Sequence, residues 1–234
     1  MNPYVYLHEI VRTVPGREEP YLASVLSLQH DPTRGERRQH PVFAQFRSIQ
    51  TSGTWPYGIN IWENTWASQT QNLVGQFLDT RRDVSMEDWW NRNLHLRRGG
   101  YDRILIPAPY SPTAEDLQSR KVTGEVFVQE ILWLPFGEPR RFLDEVEQRL
   151  VPILERYGLD LIGAFRVAMR PRQALTIIGA RQWSDLAAML SAPSTPDSEL
   201  QRWRDYHDGT VEHAEEMVLL PARHGPLTAR RPVV

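Results

Sequence analysis

Two stretches decide the fold. Val5-Tyr6-Leu7-His8-Glu9-Ile10-Val11 and Val126-Phe127-Val128-Gln129-Glu130-Ile131-Leu132 lie 121 residues apart and match position for position in aromatic, apolar and acidic character. Each is an apolar run leading to a glycine-marked turn, at Gly16 or Gly137, and then to an amphipathic stretch carrying Tyr21 and Leu22 or Phe142 and Leu143. That pattern reads as strand, turn, helix. A fixed spacing between two such units is the signature of an internal repeat.

Working outward, the match continues in order. Ala44-Gln45-Phe46-Arg47 lies against Gly163-Ala164-Phe165-Arg166 at a spacing of 119. Ile59-Asn60-Ile61 lies against Thr176-Ile177-Ile178, and Trp66 against Trp183, at 117. Trp89 lies against Trp203, and Ile104–Ala108 against Val218–Ala222, at 114. The steady shrinkage means slightly longer loops in the first copy. The pattern predicts strands near 4–12, 43–51, 57–64 and 102–107, with helices near 17–29, 67–79 and 85–95. In the second copy it predicts strands near 125–133, 160–169, 173–181 and 216–221, and helices near 138–157, 183–190 and 197–207.

The expected fold class is α+β. It is a tandem duplication of a ferredoxin-like β-α-β-β-α-β unit. Both strand parities are apolar, so each sheet needs a partner on the face its helices do not cover. The other copy's sheet is that partner, which gives two antiparallel sheets packed face to face as an intrachain α/β barrel. Residues 1–110 form the first copy, 111–122 a linker and 123–234 the second copy.

Composition narrows the function. Of the 234 residues, 41% are hydrophobic and 24% charged, with a formal net charge of -2, so bulk charge favours neither nucleic acid nor an anionic membrane. The absence of cysteine removes disulfides, thiolate metal sites and a cysteine nucleophile. No apolar run reaches the length of a membrane span, and the N-terminus reads directly into a strand, so a cytoplasmic location is expected. Lys121 is the only lysine, a bias expected of a GC-rich genome.

The aromatic-led first strand with its Gly16 or Gly137 turn, the segment Tyr157-Gly158-Leu159-Asp160-Leu161-Ile162-Gly163-Ala164-Phe165 and the run ending in Trp66 or Trp183 together resemble the NIPSNAP-like branch of the dimeric α/β barrel superfamily. The resemblance covers nearly the whole chain. The first copy departs from it in the polar insertion Gln29–His40. The superfamily so implied includes isomerases, cofactor-independent monooxygenases, polyketide cyclases, dehydratases and haem enzymes. It transfers no catalytic residue, because fold does not fix chemistry.

The duplication offers an internal control. Polar residues in one copy opposite apolar ones in the other are candidates for function, since a buried polar group costs stability unless satisfied. In this alignment Asn60 stands opposite Ile177, Trp62 opposite Gly179, Ser48 opposite Val167 and Gln50 opposite Met169, while His8 stands opposite Gln129 and Tyr6 opposite Phe127. Strand alternation pairs Tyr6 with His8, Ser48 with Gln50 and Asn60 with Trp62. If those three faces coincide, they line a ligand pocket between the sheet and its helices, walled by Trp62 and by Trp89 or Trp90. Tyr57 adds a further polar group. His8 is the proton-transfer candidate. Glu9, Arg47, Glu130 and Arg166 recur in both copies and read as structural charge pairs.

No metal-ligand spacing is present. His207 and His213 are six residues apart, Gly99-Gly100 reads as a turn, and His95 or His207 is the axial candidate if haem were held. The expected function is small-molecule binding without a bound cofactor, with isomerase, cyclase or lyase proton transfer on an apolar or aromatic metabolite. The alternatives are a non-catalytic binding or scaffold protein of NIPSNAP type, and a haem-binding protein or cofactor-independent monooxygenase; the expected partner is a small-molecule substrate, and the outer faces could also build a homo-oligomer.

Overall fold

A computed structural model describes residues 2–30, 41–50, 53–73, 84–193, 195 and 198–229. Most of the polar insertion, at 31–40, therefore lies outside the described residues. The first copy runs β1 (Val5–Thr13), α1 (Glu18–His30), β2 (Val42–Ser48), β3 (Tyr57–Asn64), α2 (Trp66–Leu73), α3 (Val84–Asn93), a 3-10 turn (Leu94–Leu96) and β4 (Arg97–Pro107). The second copy runs β5 (Val126–Trp133), α5 (Pro139–Glu145), a π-helical turn (Val146–Leu150), α6 (Val151–Arg156), β6 (Leu159–Val167), β7 (Gln173–Ala180), α7 (Trp183–Leu190), α8 (Glu199–Thr210) and β8 (His213–Pro221). The turn glycines Gly16 and Gly137 hold φ at +75° and +85°, a conformation that costs glycine no Cβ clash.

The eight strands close into one antiparallel barrel in the order β1-β3-β2-β8-β5-β7-β6-β4. Each strand lies four places from its counterpart, so a half-turn about the barrel axis exchanges the copies. The sheets face each other across the lumen, as expected, and are also joined at both edges. Phe46, Arg47 and Ser48 of β2 pair with Pro221, Leu220 and Leu219 of β8, and Leu105, Ile106 and Pro107 of β4 with Val167, Arg166 and Phe165 of β6. Closure leaves no free sheet edge.

An eight-stranded barrel is wide enough for side chains to pack inside it, and an apolar cluster does so here. Its lumen packs Tyr6, Ile10, Phe43, Phe46, Ile59, Ile61, Leu105, Phe127, Ile131, Ile162, Phe165, Leu175, Ile177, Met217 and Leu219. Tyr6 meets the edges of Phe43 and Phe165, each with ring centroids 5.0 Å away. Outside the barrel, two separate apolar layers lie beneath the helices of the two copies.

The linker is not a plain connection. Ala114–Ser119 forms a short helix, α4, started by a capping box between Thr113 and Asp116. Its Leu117 enters the lumen cluster together with Val122 and so caps one barrel end. The predicted helix over 138–157 is present, with the π turn just ahead of Pro152, whose missing N–H makes a regular ladder impossible there.

The repeat alignment needs one correction. Glu9 pairs with Asn60 across β1 and β3, and Glu130 pairs with Thr176 across β5 and β7. The counterpart of Asn60 is therefore Thr176, not Ile177, and that of Trp62 is Ile178, not Gly179. Gly179 instead matches Glu63. The one-residue slip moves every side chain of the strand to the other face. Both copies carry the same β-bulge, at Phe43 and Ile162, so it leaves the spacing between them unchanged.

Candidate functional site

Strand β1 has two distinct polar faces, and only one meets Asn60 and Trp62. Residues directly opposite in an antiparallel pair share a face. Leu7 faces Trp62 and Glu9 faces Asn60 on the helix side, whereas Tyr6 faces Glu63 and His8 faces Ile61 on the lumen side. The three faces predicted to form one pocket therefore do not coincide. His8 lies at the barrel centre, 0% exposed, with Nε2 2.8 Å from Oε1 of Gln129, its own counterpart in the second copy. Burial, and then the Arg103 charge, push its pKa down to about 3, so the ring is neutral. Proton transfer from His8 to a ligand under the helices has no path through the sheet.

Tyr6 also belongs to the lumen. Its hydroxyl donates to Oε2 of Glu63 at 2.8 Å and accepts from Nδ2 of Asn2 at 2.8 Å. Glu63 Oε2 accepts as well from the backbone N–H of Ala114 at 2.8 Å, which ties the start of α4 to β3. Ser48 is buried at the far end of β2, where its hydroxyl accepts from the backbone N–H of Tyr57 at 3.0 Å. Gln50 is exposed in the turn beyond β2. Tyr57 packs its half-buried ring on the lumen cluster.

The helix side of the first copy gathers a different set around Glu9. Nε1 of Trp62 donates to Oε2 of Glu9 at 2.9 Å, and Nδ2 of Asn60 donates to the same oxygen at 3.3 Å. Asn60 is held in turn by Gln45, whose Nε2 donates to its Oδ1 at 2.9 Å and to the carbonyl of Leu22 at 3.1 Å. Nδ2 of Asn60 also reaches the Tyr21 hydroxyl at 3.4 Å. Above these lie Val11, Tyr21, Leu22, Val25, Trp89 and Leu96, with Trp62 packed against them. Trp89 anchors α3 to α1 by donating from Nε1 to the carbonyl of Ser24 at 3.1 Å. The Arg97 guanidinium lies over the Trp90 ring, 3.2 Å from its centroid, and 5.9 Å from that of Trp89.

This environment sets the protonation of Glu9. Loss of water around the carboxyl raises its pKa to about 7; the Trp62 hydrogen bond opposes the rise and the facing Asp102 adds to it. Both hydrogen bonds end on Oε2, so neither engages Oε1. A carboxyl that is half ionised near pH 7 beneath an aromatic layer can take up and return a proton. Tyr21 is pushed up by burial and stays a neutral phenol.

The charge pairs read from the sequence form otherwise. Arg47 pairs with Glu19 of α1 at 3.2 Å rather than with Glu9, because Glu9 lies two strands away beneath α1. Arg166 is exposed on β6. Glu130, the counterpart of Glu9, takes Nε2 of His207 on Oε1 at 2.8 Å and the Thr176 hydroxyl on Oε2 at 3.4 Å. Burial lowers the His207 pKa, but hydrogen bonds and charge from Glu130 and Asp208 outweigh it and raise the pKa above its ordinary value. Around it Phe142, Trp203 and Tyr206 pack with centroids 5.8–6.1 Å apart.

Glu9 was legible as a site residue by one signal. It interrupts the apolar parity Val5, Leu7, Val11 on the face that carries the helices, and a carboxyl there must be buried or satisfied. Tyr21, Arg97 and Asp102 carry no such mark, since only the fold brings them to Glu9. Of the two haem candidates, His207 is engaged by Glu130 and His95 is exposed in the 3-10 turn. Among the described residues, no group of three or more His, Asp or Glu side chains is placed to hold a metal. No described helix is long and apolar enough to cross a membrane.

No family model and no curated protein matches the chain. Solved structures do. A protein of Fusobacterium nucleatum provisionally named a monooxygenase superposes with a TM-score of 0.61 at 10% identity, over 98% of each chain. An anthrone oxidase-like protein superposes with a TM-score of 0.59 at 8% identity, over 98% of this chain and 97% of its own. A NIPSNAP family protein of Agrobacterium tumefaciens is 22% identical over 45% of this chain and 92% of its own, with a TM-score of 0.38. The two whole-chain likenesses establish the tandem dimeric α/β barrel fold that the repeat implied.

Proposed function

We propose that the chain is a small-molecule-binding barrel protein whose site lies between the sheet and helices of the first copy, and that Glu9 is its proton-transfer group. The observation that carries this reading is the Glu9 carboxyl, raised to about 7 beside Trp62 and bonded by Trp62 and Asn60 on the same oxygen. The ligand is a flat apolar or aromatic metabolite with an acidic C–H or O–H. The reaction is an isomerisation, cyclisation or elimination that requires only proton transfer and shelter from water. The names of the two whole-chain neighbours, one a monooxygenase and one anthrone oxidase-like, are compatible with such ligands. Their low identity supports the fold and not the reaction.

The test is carboxyl NMR on protein labelled at the glutamate side-chain carbon. One resonance titrating near pH 7, absent in Glu9→Gln, is expected. Titration of a panel of one- to three-ring phenols should quench tryptophan fluorescence saturably, and Trp62→Leu should weaken this. Ordinary titration of every glutamate, together with no saturable quenching, would sink the proposal.

A scaffold reading is favoured by one feature. Trp66 and Trp183, at matching helix starts, are 51% and 48% exposed, as expected of side chains that meet a partner or a second copy on the outer face.

A further inference from the structure

We infer that the barrel lumen holds a small planar oxyanion of the carboxylate type, bound by Arg103 together with the His8–Gln129 pair. This site is separate from the Glu9 layer, from which it is divided by the thickness of the sheet. Arg103 faces His8 directly across β1 and β4, so both side chains point into the lumen. Its Nε and Nη1 are buried and have no hydrogen-bond partner, as do Nδ1 of His8 and Nε2 of Gln129. Both His8 and Gln129 are 0% exposed. Four unpaired polar atoms from β1, β4 and β5 thus lie on the lumen side of the barrel. Buried groups of this kind are almost always satisfied, by protein or by something bound.

The composition of the set selects the ligand. The Arg103 and Gln129 atoms are N–H donors, and the set contains no carboxylate. The His8–Gln129 pair adds one of two donors, Gln129 Nε2 with the amide as placed or His8 Nδ1–H with the amide flipped, because the neutral ring carries a single N–H. A guanidinium offers parallel N–H groups that match the two oxygens of a carboxylate. The other lumen-side carboxylates do not supply that charge. Glu63 is taken by Tyr6 and Ala114. Glu215 faces Ile131 on β8, and neither unpaired nitrogen of Arg103 receives a partner from it. The duplication isolates the charge further, because the counterpart of Arg103 is the apolar Met217, which faces Gln129. The exposed Tyr101 ring lies beside Arg103, its centroid 4.6 Å from the guanidinium carbon.

The experiment uses the full chain and sodium formate as the probe, at constant ionic strength. Imidazole nitrogen NMR follows His8, assigned through its loss in His8→Gln, while thermal unfolding is read in parallel. Formate should move the His8 resonances saturably and raise the Tm by roughly 5 °C at a hundredfold excess over Kd. Arg103→Met should weaken the response roughly tenfold or more, the order expected for loss of a charge-assisted hydrogen bond. No saturable change up to decimolar formate would overturn the inference and leave these groups to water. A response undiminished in Arg103→Met would also overturn it. If Arg103→Met does not fold, Gln129→Glu supplies a built-in carboxylate and should abolish the response; a retained response counts against the site.

Discussion

Glu9 and Glu130 occupy one position in two copies of one fold, yet they are satisfied in opposite ways. Glu130 is held by the His207 imidazole of α8, whose proton affinity it raises, with Thr176 beside it. Glu9 is held by two neutral donors on a single oxygen, Trp62 and Asn60. The position of His207 in α8 corresponds to Asn93 of α3, whose amide turns back to the Trp89 carbonyl instead of reaching the sheet. A carboxyl facing an imidazole favours the protonated ring. One facing indole and amide N–H groups beneath apolar rings keeps a pKa near neutrality. The second copy uses this position as a clasp between sheet and helix, while the first leaves there a carboxyl with a pKa near neutrality.

The sharpest way to break the comparison is to force first-copy chemistry onto the second. Gly179, the counterpart of Glu63, lies where an added Cβ would come within 2.8 Å of Phe127. Gly179→Glu should destabilise the protein by more than about 4 kcal/mol, from overpacking plus a carboxylate buried without donors, as read by urea unfolding.

A smaller effect separates the two carboxyls by pH. Glu9 binds its proton more tightly folded than unfolded, rising from 4.5 to about 7, so its contribution to stability is greatest below pH 4.5 and falls as pH rises to about 7. Glu9→Gln should remove that slope. It should stabilise the protein at pH 8 by about 2 kcal/mol, less than the full shift implies because the side chain keeps some exposure. The smallest effect belongs to the clasp. The raised pKa of His207 makes its contribution complete below about 6.5, the value for the unfolded chain, and lost as pH climbs through the folded value. His207→Gln should flatten stability above pH 6.5 at a cost of about 1 kcal/mol at pH 6, measured by thermal unfolding across pH.

Strand and helix order were readable because the repeat marks every element twice, so an ambiguous run in one copy is resolved by the other. The β4 start was not, since Arg97-Arg98-Gly99-Gly100 has the composition of a turn while Gly99 and Gly100 in fact pair with Arg12 and Val11. The face of β3 was also hidden. The true partner Leu175-Thr176-Ile177 keeps the apolar-polar-apolar order of Ile59-Asn60-Ile61, but the spacing of 117 carried by Trp66 and Trp183 points to Thr176-Ile177-Ile178, and a slip of one residue inverts the geometry. His8 was singled out correctly as unusual and wrongly as a neighbour of Asn60, because strand alternation groups residues within a strand and says nothing of which groups meet between strands. The partners of Glu9 depend on that inter-strand register and on α3.

The contact between His8 and Gln129 straddles the axis that relates the two copies. In an assembly of two identical chains, a residue on the symmetry axis meets only itself, so a donor there faces a donor and an acceptor an acceptor. Here the covalent join releases that constraint. Two formerly equivalent positions hold complementary groups, and any substitution at the centre of the barrel is felt once instead of twice. Fusion thus gives the protein access to chemistry at its own midpoint that strict symmetry forbids, and lets one copy serve as frame while the other is free to change.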